Sequence, residues 1–216
     1  MKVPLLVKNW LQLLRIPNLF TVSGDSLLGV LFVVSTDMPL PYTLLVKAII
    51  SSLCLYITGL VTNDIADLKI DSIERPERPL PSKRISVLSA VIVSILFAFV
   101  GVGIAVLTSK IAGVFAFSLL IIILAYNFMS KRFYFIGFAN MALCRAMNVM
   151  LGSLYVCGNV NVSVLIVAAG MFLYIFTVSY LAKQEVNEKI CKNCFAKYMP
   201  AGSAIIWFVA VYIVMG

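Results

Sequence analysis

The sequence has no histidine, and only 12% of its 216 residues are charged. Soluble domains of this size carry about twice that share of charged residues, so the composition excludes a soluble globular protein. The five cysteines form no recognisable disulfide framework. Cys191 and Cys194 form a CxxC motif, but zinc is a poor fit without histidine or a second cysteine pair nearby, and we interpret them as two incidental thiols in a loop.

What the sequence has in abundance is apolar residues, which make up 62% of the chain. They fall into runs near the roughly 20 residues that a helix needs to cross a bilayer. No small-residue cleavage site follows the first run, so we expect no signal peptide. A short amphipathic helix at 3–16 precedes the runs. The sequence therefore predicts an all-α, polytopic transmembrane bundle of about seven spans: roughly 18–35, 43–63, 86–108, 111–129, 134–157, 161–182 and 198–215.

The positions of the basic residues predict the orientation of the bundle. The net charge of +8 would suggest a nucleic-acid partner in a soluble protein, but here the charges are segregated by loop. Of the 17 Lys and Arg residues, 14 lie in the N-terminal segment, the 64–86 loop, the Lys131–Arg132 turn and the 183–197 loop. By the positive-inside rule these segments face the cytoplasm.

An acidic motif follows the second predicted span. Asn63, Asp67 and Asp71 are spaced i, i+4, i+8 and share one helical face, with Asp64 at its border. Carboxylate and amide oxygens in this arrangement suit Mg²⁺, which commonly shares its coordination shell with substrate phosphates. Basic residues downstream could hold the remainder of a diphosphate: Arg75, Arg78, Lys83 and Arg84. The alternative is an ordinary charged cytoplasmic loop.

The pattern NDxxDxxxD followed by RPxRPxPS, over residues 63–82, resembles the first signature of the UbiA superfamily of intramembrane prenyltransferases. Within that superfamily it is similar to the geranylgeranylglyceryl-phosphate branch and to the EboC-like branch. The resemblance implies that Asn63, Asp67 and Asp71 bind Mg²⁺ and an allylic diphosphate. The family usually has glycine where Lys83 stands.

Polar residues inside the apolar runs need a reason, because ionisable groups in membrane helices are costly. Arg145 lies in the middle of a predicted span, with Asn148 at i+3, and Asp25 lies in the first span. One interpretation is a structural pair between Arg145 and Asp25. The other is that all three residues line a cavity and bind substrate.

Tyr126 and Lys131 resemble the family's Tyr-then-Lys element, in which Tyr faces the reacting carbon and Lys faces the diphosphate. An aromatic face can stabilise an allylic cation, and a lysine can offset the charge of the leaving group. Taken alone, the same residues are typical of an interfacial anchor.

The loop after the sixth predicted span has no Asp-rich second signature of the kind the family has. Glu185 and Glu188 keep two carboxylates on one helical face in that place, and we expect them to hold a second Mg²⁺. Lys183, at the start of the same segment, is a predicted substrate ligand. A solvated charged loop is the alternative.

The resemblance implies a single domain over residues 1–216, short of the nine-span family fold by its last two helices. It further implies Mg²⁺-dependent transfer of a prenyl group from an isoprenyl diphosphate to a lipophilic acceptor in the membrane. A non-catalytic carrier of isoprenoid or diphosphate lipids is the alternative. A CDP-alcohol phosphotransferase is excluded because its Asp-Gly-x-x-Ala-Arg opening is absent, and a soluble isoprenoid synthase fits poorly with the membrane spans.

Overall fold

The computed structural model of the protein describes residues 4–34, 40–186 and 194–215. These residues form helices joined by short loops, with no strand among them. The predicted all-α fold class is confirmed. The α-helices in chain order are α1 (Leu5–Leu13), α2 (Ile16–Leu31), α3 (Tyr42–Ala66), α4 (Leu68–Glu74), α5 (Val87–Thr108), α6 (Lys110–Phe128), α7 (Tyr134–Cys157), α8 (Val162–Val186) and α9 (Cys194–Met215).

Five of the seven predicted spans are long and apolar enough to cross a membrane: α3, α5, α6, α7 and α8. The chain is therefore an integral membrane protein. The first predicted span corresponds to α2, whose 16 residues extend about 24 Å. The last corresponds to α9, whose 22 residues extend about 33 Å.

Helix α3 lies at the centre of the bundle and packs against α2, α5, α6 and α7. Small polar side chains allow its close approach to α5. Ser51 donates a hydrogen bond to the Gly101 carbonyl oxygen at 2.7 Å, and Thr58 donates one to the Ser94 carbonyl oxygen at 3.1 Å. Hydroxyl groups satisfied in this way are common between membrane helices, where no water is available.

The contact between α2 and α7 depends on two glycines. A Cβ atom at Gly29 would lie 1.9 Å from the Val149 carbonyl oxygen, and one at Gly152 would lie 2.2 Å from the Ser26 carbonyl oxygen. Only glycine permits the two backbones to lie so close together. This close contact brings the polar side chains of α2 within reach of those on α7.

The amphipathic helix predicted at 3–16 is present as α1. It exposes Leu5 and Leu6 and buries Asn9 and Leu13. Arg84 donates a hydrogen bond to Asn9 Oδ1 at 3.0 Å, so α1 is joined to the basic loop that follows α4.

Candidate functional site

A cavity of about 640 Å³ lies among α2, α3, α6, α7 and α8. Part of its wall is apolar and includes Leu55, Leu119 and Ile123. Asn63 and Tyr126 line it where α3 and α6 approach their C-terminal ends, and Arg145 and Asn148 line it from α7. The cavity thus joins the acidic motif to the polar residues predicted within the spans.

The acidic motif spans the end of α3 and the start of α4, which meet at Asp67. Asp67 ends α3 with φ −89° and ψ 0°, and α4 begins at the next residue. The i to i−4 hydrogen bonds continue across this junction, since Asp67 N–H donates to the Asn63 carbonyl at 2.9 Å and Asp71 N–H donates to the Asp67 carbonyl at 2.8 Å. The predicted i, i+4, i+8 relationship is therefore present, although it runs across two helices.

Lys131 binds the first half of the motif. Its Nζ lies 2.6 Å from Asp67 Oδ1 and 3.2 Å from Asn63 Oδ1. It reaches them from the short 3-10 helix Ser130–Arg132, which follows α6. The sequence predicted both Lys131 and the two acceptors as site residues, and the structure brings them together.

Arg78 and Arg15 bind the second half of the motif. Arg78 Nη1 lies 2.6 Å from Asp71 Oδ2 and 3.7 Å from Asp64 Oδ1, and Arg15 Nη2 lies 2.6 Å from Asp64 Oδ1. Both carboxylates are buried, whereas the two arginines are partly exposed. The four charges form a chain, Arg15–Asp64–Arg78–Asp71, beside the Lys131 pair.

The loop after α4 is folded so that Arg78 returns to the acidic motif. Backbone hydrogen bonds close it, from Ser82 N–H to the Arg78 carbonyl at 3.0 Å and from Ile85 N–H to the Pro79 carbonyl at 3.1 Å. Lys83 adopts φ +58°, a left-handed conformation that favours glycine. This geometry explains the glycine expected here in the family, and the lysine has to tolerate backbone strain in its place.

A second polar group lies on α2 and α7. Arg145 Nε and Nη2 lie 2.8 and 2.9 Å from Asp25 Oδ2 and Oδ1, a two-pronged ion pair. Arg145 also reaches the Thr21 hydroxyl and carbonyl oxygens, each at 3.3 Å. Asn148 donates to the Val22 carbonyl and accepts a hydrogen bond from Ser52. The structural pair between Arg145 and Asp25 is present, and Arg145 and Asn148 line the cavity, whereas Asp25 is buried behind them. Binding of substrate by these residues stays a prediction.

The remaining predicted residues are placed less fully. Lys183 is exposed in the last turn of α8. Glu185 lies in the same helix, but its side chain is outside the described part of the chain, and Glu188 falls wholly outside the described residues. Cys191 also lies outside them, and Cys194 begins α9.

The oxygen atoms of the motif fit Mg²⁺ in chemistry and in direction. Asn63 Oδ1 and Asp67 Oδ1 converge on one cationic atom, the Lys131 Nζ, which occupies the position of a cation between them. Within the described ranges, no three acidic or cysteine side chains gather around one point. Two protein ligands are sufficient for Mg²⁺ when substrate phosphates and water complete its shell.

Several residues of the site are not predicted by the sequence. Arg15 was not predicted as part of the site, yet it binds Asp64 across 49 positions of sequence. Asn127 donates hydrogen bonds to the Thr62 hydroxyl at 2.7 Å and to the Gly59 carbonyl at 2.9 Å, and so joins α6 to α3 behind the motif. Asn127 directly follows Tyr126, a predicted site residue, and that position could have indicated its place in the site. Thr21 and Ser52 carried no signal, because lone hydroxyl residues are common in membrane helices.

Comparison with known proteins gives a consistent result. The model of the UbiA prenyltransferase family matches residues 26–215. Digeranylgeranylglyceryl phosphate synthase of Methanococcus maripaludis is 40% identical over 96 residues, which cover 44% of this chain and 34% of that relative. The enzyme of the same name from Sulfurisphaera tokodaii is 26% identical over 211 residues, which cover 97% of this chain and 75% of the relative. The chain thus matches about a third of the length of the first of these relatives.

Solved structures share the fold. A structure described as digeranylgeranylglyceryl phosphate synthase in membranes has a TM-score of 0.75 at 21% identity, covering 97% of this chain and 78% of its own. A UbiA homologue from Archaeoglobus fulgidus bound to DMAPP and Mg²⁺ has a TM-score of 0.68 at 17% identity, covering 95% and 75% of the two chains.

Proposed function

The chain belongs to the UbiA prenyltransferase family, and we propose that it transfers a prenyl group from an isoprenyl diphosphate to a lipophilic acceptor inside the membrane. The observation that carries this proposal is the cavity shared by Asn63 and Tyr126 at one end and by Arg145 and Asn148 on α7. A diphosphate head beside the acidic motif would leave its hydrocarbon tail between apolar helices. We further propose that the motif faces the cytoplasm, as the distribution of basic residues predicts.

Mg²⁺ is the cofactor that the donor set suits. Asn63 and Asp67 would hold it, with Asp64 and Asp71 close by on the same helical segment, and Glu185 and Glu188 stay proposed ligands of a second ion. When bound, Mg²⁺ neutralises charge on the diphosphate and makes it a better leaving group.

The cationic side chains bind the diphosphate and stabilise the pyrophosphate as it leaves. Lys131 and Arg78 are partly exposed and lie beside the motif, so they are placed to exchange a carboxylate for a phosphate oxygen. Lys183 stays a proposed further ligand. The C–O bond of the donor breaks, and its electron pair leaves with the pyrophosphate. Charge stabilisation at that bond is the main contribution these residues make to the rate.

The walls of the cavity protect and direct the prenyl cation. Tyr126 offers an aromatic face to the positive carbon. The apolar wall at Leu55, Leu119 and Ile123 limits access of water, which would otherwise capture the cation. The acceptor attacks with a ring carbon or a hydroxyl oxygen and gives up a proton. Arg145 and Asn148 position it, and Asp25 holds Arg145 in place.

The test is prenyl transfer by purified protein. Labelled geranyl, farnesyl and geranylgeranyl diphosphates are mixed with a membrane lipid extract, with and without Mg²⁺, and products are identified by mass. Asp67→Asn should abolish turnover, whereas Glu74→Gln, an exposed carboxylate at the end of α4, should not. Turnover by Asp67→Asn equal to that of the wild type would refute the proposed site. Tight binding of diphosphate with no product from any acceptor would favour the carrier alternative.

A further inference from the structure

The polar wall formed by Asp25, Arg145 and Asn148 carries no net charge. Arg145 is 19% exposed and Asp25 only 2% exposed, so the arginine covers a carboxylate that has almost no contact with the cavity. The other cation lining the cavity, Arg15, is also paired, with Asp64 at 2.6 Å. Among the described lining residues, each guanidinium is therefore matched by a carboxylate.

The hydrogen-bonding capacity left on this wall is small. Arg145 has five N–H donors, of which one on Nη2 donates to Asp25 Oδ1 at 2.9 Å. Its Nε lies 2.8 Å from Asp25 Oδ2 as a charge contact, is buried, and has no hydrogen-bond partner among the described residues. The two contacts to Thr21, each at 3.3 Å, are long for hydrogen bonds and are the ones a ligand can replace most readily. Asn148 is already occupied through both ends of its amide, by Ser52, Val22 and Asp25. The groups that a ligand can reach on this wall are thus the Arg145 N–H groups that now contact Thr21, together with the Thr21 oxygens as acceptors.

We propose that this wall binds the acceptor and selects one with a neutral, hydroxyl-bearing head group over one with a phosphate. This inference rests on the proposed function and deepens it by naming the class of acceptor. A phosphate placed here would meet the buried negative charge of Asp25 in a medium of low dielectric constant, with no uncompensated cation among the described lining residues to balance it. Like charges brought together in such a setting strongly disfavour a ligand. A hydroxyl oxygen can accept from Arg145 and donate to Thr21 without disturbing the pair.

The test measures binding alone, without donor and without turnover. Two matched lipids are used, a hexadecylglycerol ether and its phosphate monoester, titrated into detergent-solubilised protein by calorimetry. The wild type should bind the neutral ether more tightly. Asp25→Asn keeps the shape of the side chain, removes the negative charge and leaves Arg145 unbalanced, so the affinity ratio should shift towards the phosphate ester by about tenfold. Glu74→Gln removes an exposed carboxylate elsewhere and should leave the ratio unchanged.

A double variant tests the same inference if Asp25→Asn alone fails to fold. Asp25→Asn with Arg145→Gln restores a neutral wall and should restore the preference for the ether. Arg145→Gln alone leaves Asp25 uncompensated and should weaken binding of the phosphate ester further. A wild-type preference for the ester, or an affinity ratio that is the same in all folded variants, would overturn the inference. Selective ether binding without prenyl transfer would instead count against the proposed function alone.

Discussion

Replacing Lys131 with methionine should strengthen the binding of Mg²⁺ to the protein in the absence of substrate. The Lys131 Nζ lies 2.6 Å from Asp67 Oδ1 and 3.2 Å from Asn63 Oδ1, the two oxygens assigned to the metal. An ammonium group and Mg²⁺ cannot share these oxygens at such distances. The metal therefore has to displace the lysine, and methionine removes the competitor while keeping a side chain of similar length.

The size of the effect follows from the exposure of the pair. Lys131 and Asp67 are 18% and 25% exposed, so their attraction lies between that of a surface pair and that of a buried one. Surface pairs contribute up to about 1 kcal/mol, and close charges near a protein surface attract by up to about 4 kcal/mol. We take the attraction between Lys131 and Asp67 as about 1–2 kcal/mol, because the pair is partly solvated. Mg²⁺ no longer has to overcome this attraction in Lys131→Met, so its affinity should rise roughly five- to thirtyfold.

The assay is calorimetric titration of Mg²⁺ into purified protein, first alone and then with a non-hydrolysable isoprenyl diphosphate analogue. Lys131→Met should bind Mg²⁺ more tightly when alone and bind the analogue more weakly, since Lys131 is also the proposed diphosphate ligand. Lys69→Met serves as the matched control. Lys69 is exposed on α4 between Asp67 and Asp71 and makes none of the ion pairs described above.

The two readouts must move in opposite directions for the reasoning to hold. Unchanged or weaker Mg²⁺ binding in Lys131→Met would show that the metal does not use the oxygens that Lys131 covers. An equal rise in Lys69→Met would mean that the effect is one of general surface charge.

Three further predictions concern stability, measured by thermal unfolding in detergent. Lys83→Gly should stabilise the protein by about 0.5–1 kcal/mol because glycine tolerates φ +58°, whereas Lys83→Ala keeps the strained conformation and should not. Gly29→Ala should destabilise the protein by about 2–3 kcal/mol, since the added Cβ would lie 1.9 Å from a carbonyl oxygen of α7. Gly24→Ala is the control: its added Cβ would have nothing within 4 Å, so stability should be unchanged or slightly higher. Asn127→Leu should lower the free energy of unfolding by about 0.6–2 kcal/mol, because it removes two hydrogen bonds to α3. An unfolding temperature equal to that of the wild type would contradict the prediction for Gly29→Ala or for Asn127→Leu.

The pairing of Arg145 with Asp25 shows what could be predicted from sequence. The two residues are 120 positions apart, but charges inside membrane helices are so costly that each one needs a partner, and few were available. The membrane environment therefore made a long-range contact predictable. The same holds for the nearness of Asn63 and Asp67, which follows from helical spacing alone.

The contacts of Arg15 and Arg78 could not be predicted in this way. Both lie outside the membrane spans, where a charge can be satisfied by water and needs no particular partner. The return of Arg78 depends on the folded loop after α4, and Arg15 itself has φ +46° at the start of α2. Neither conformation leaves a periodic pattern in the sequence. The junction of α3 and α4 at Asp67 could not be predicted for the same reason.

The charge pairing of the whole site constrains how a substrate can enter it. Each carboxylate of the motif is held by a cation from another part of the chain, Arg15 before α2, Arg78 after α4 and Lys131 after α6. A diphosphate arriving with its metal brings both signs of charge at once. The metal can take the oxygens of Asn63 and Asp67 while the phosphates take Lys131, so neither Asp67 nor Lys131 is left unpaired during the exchange. Metal and diphosphate should accordingly bind with positive cooperativity, and Lys131→Met should reduce that cooperativity because it removes the side chain that passes from the carboxylate to the phosphate.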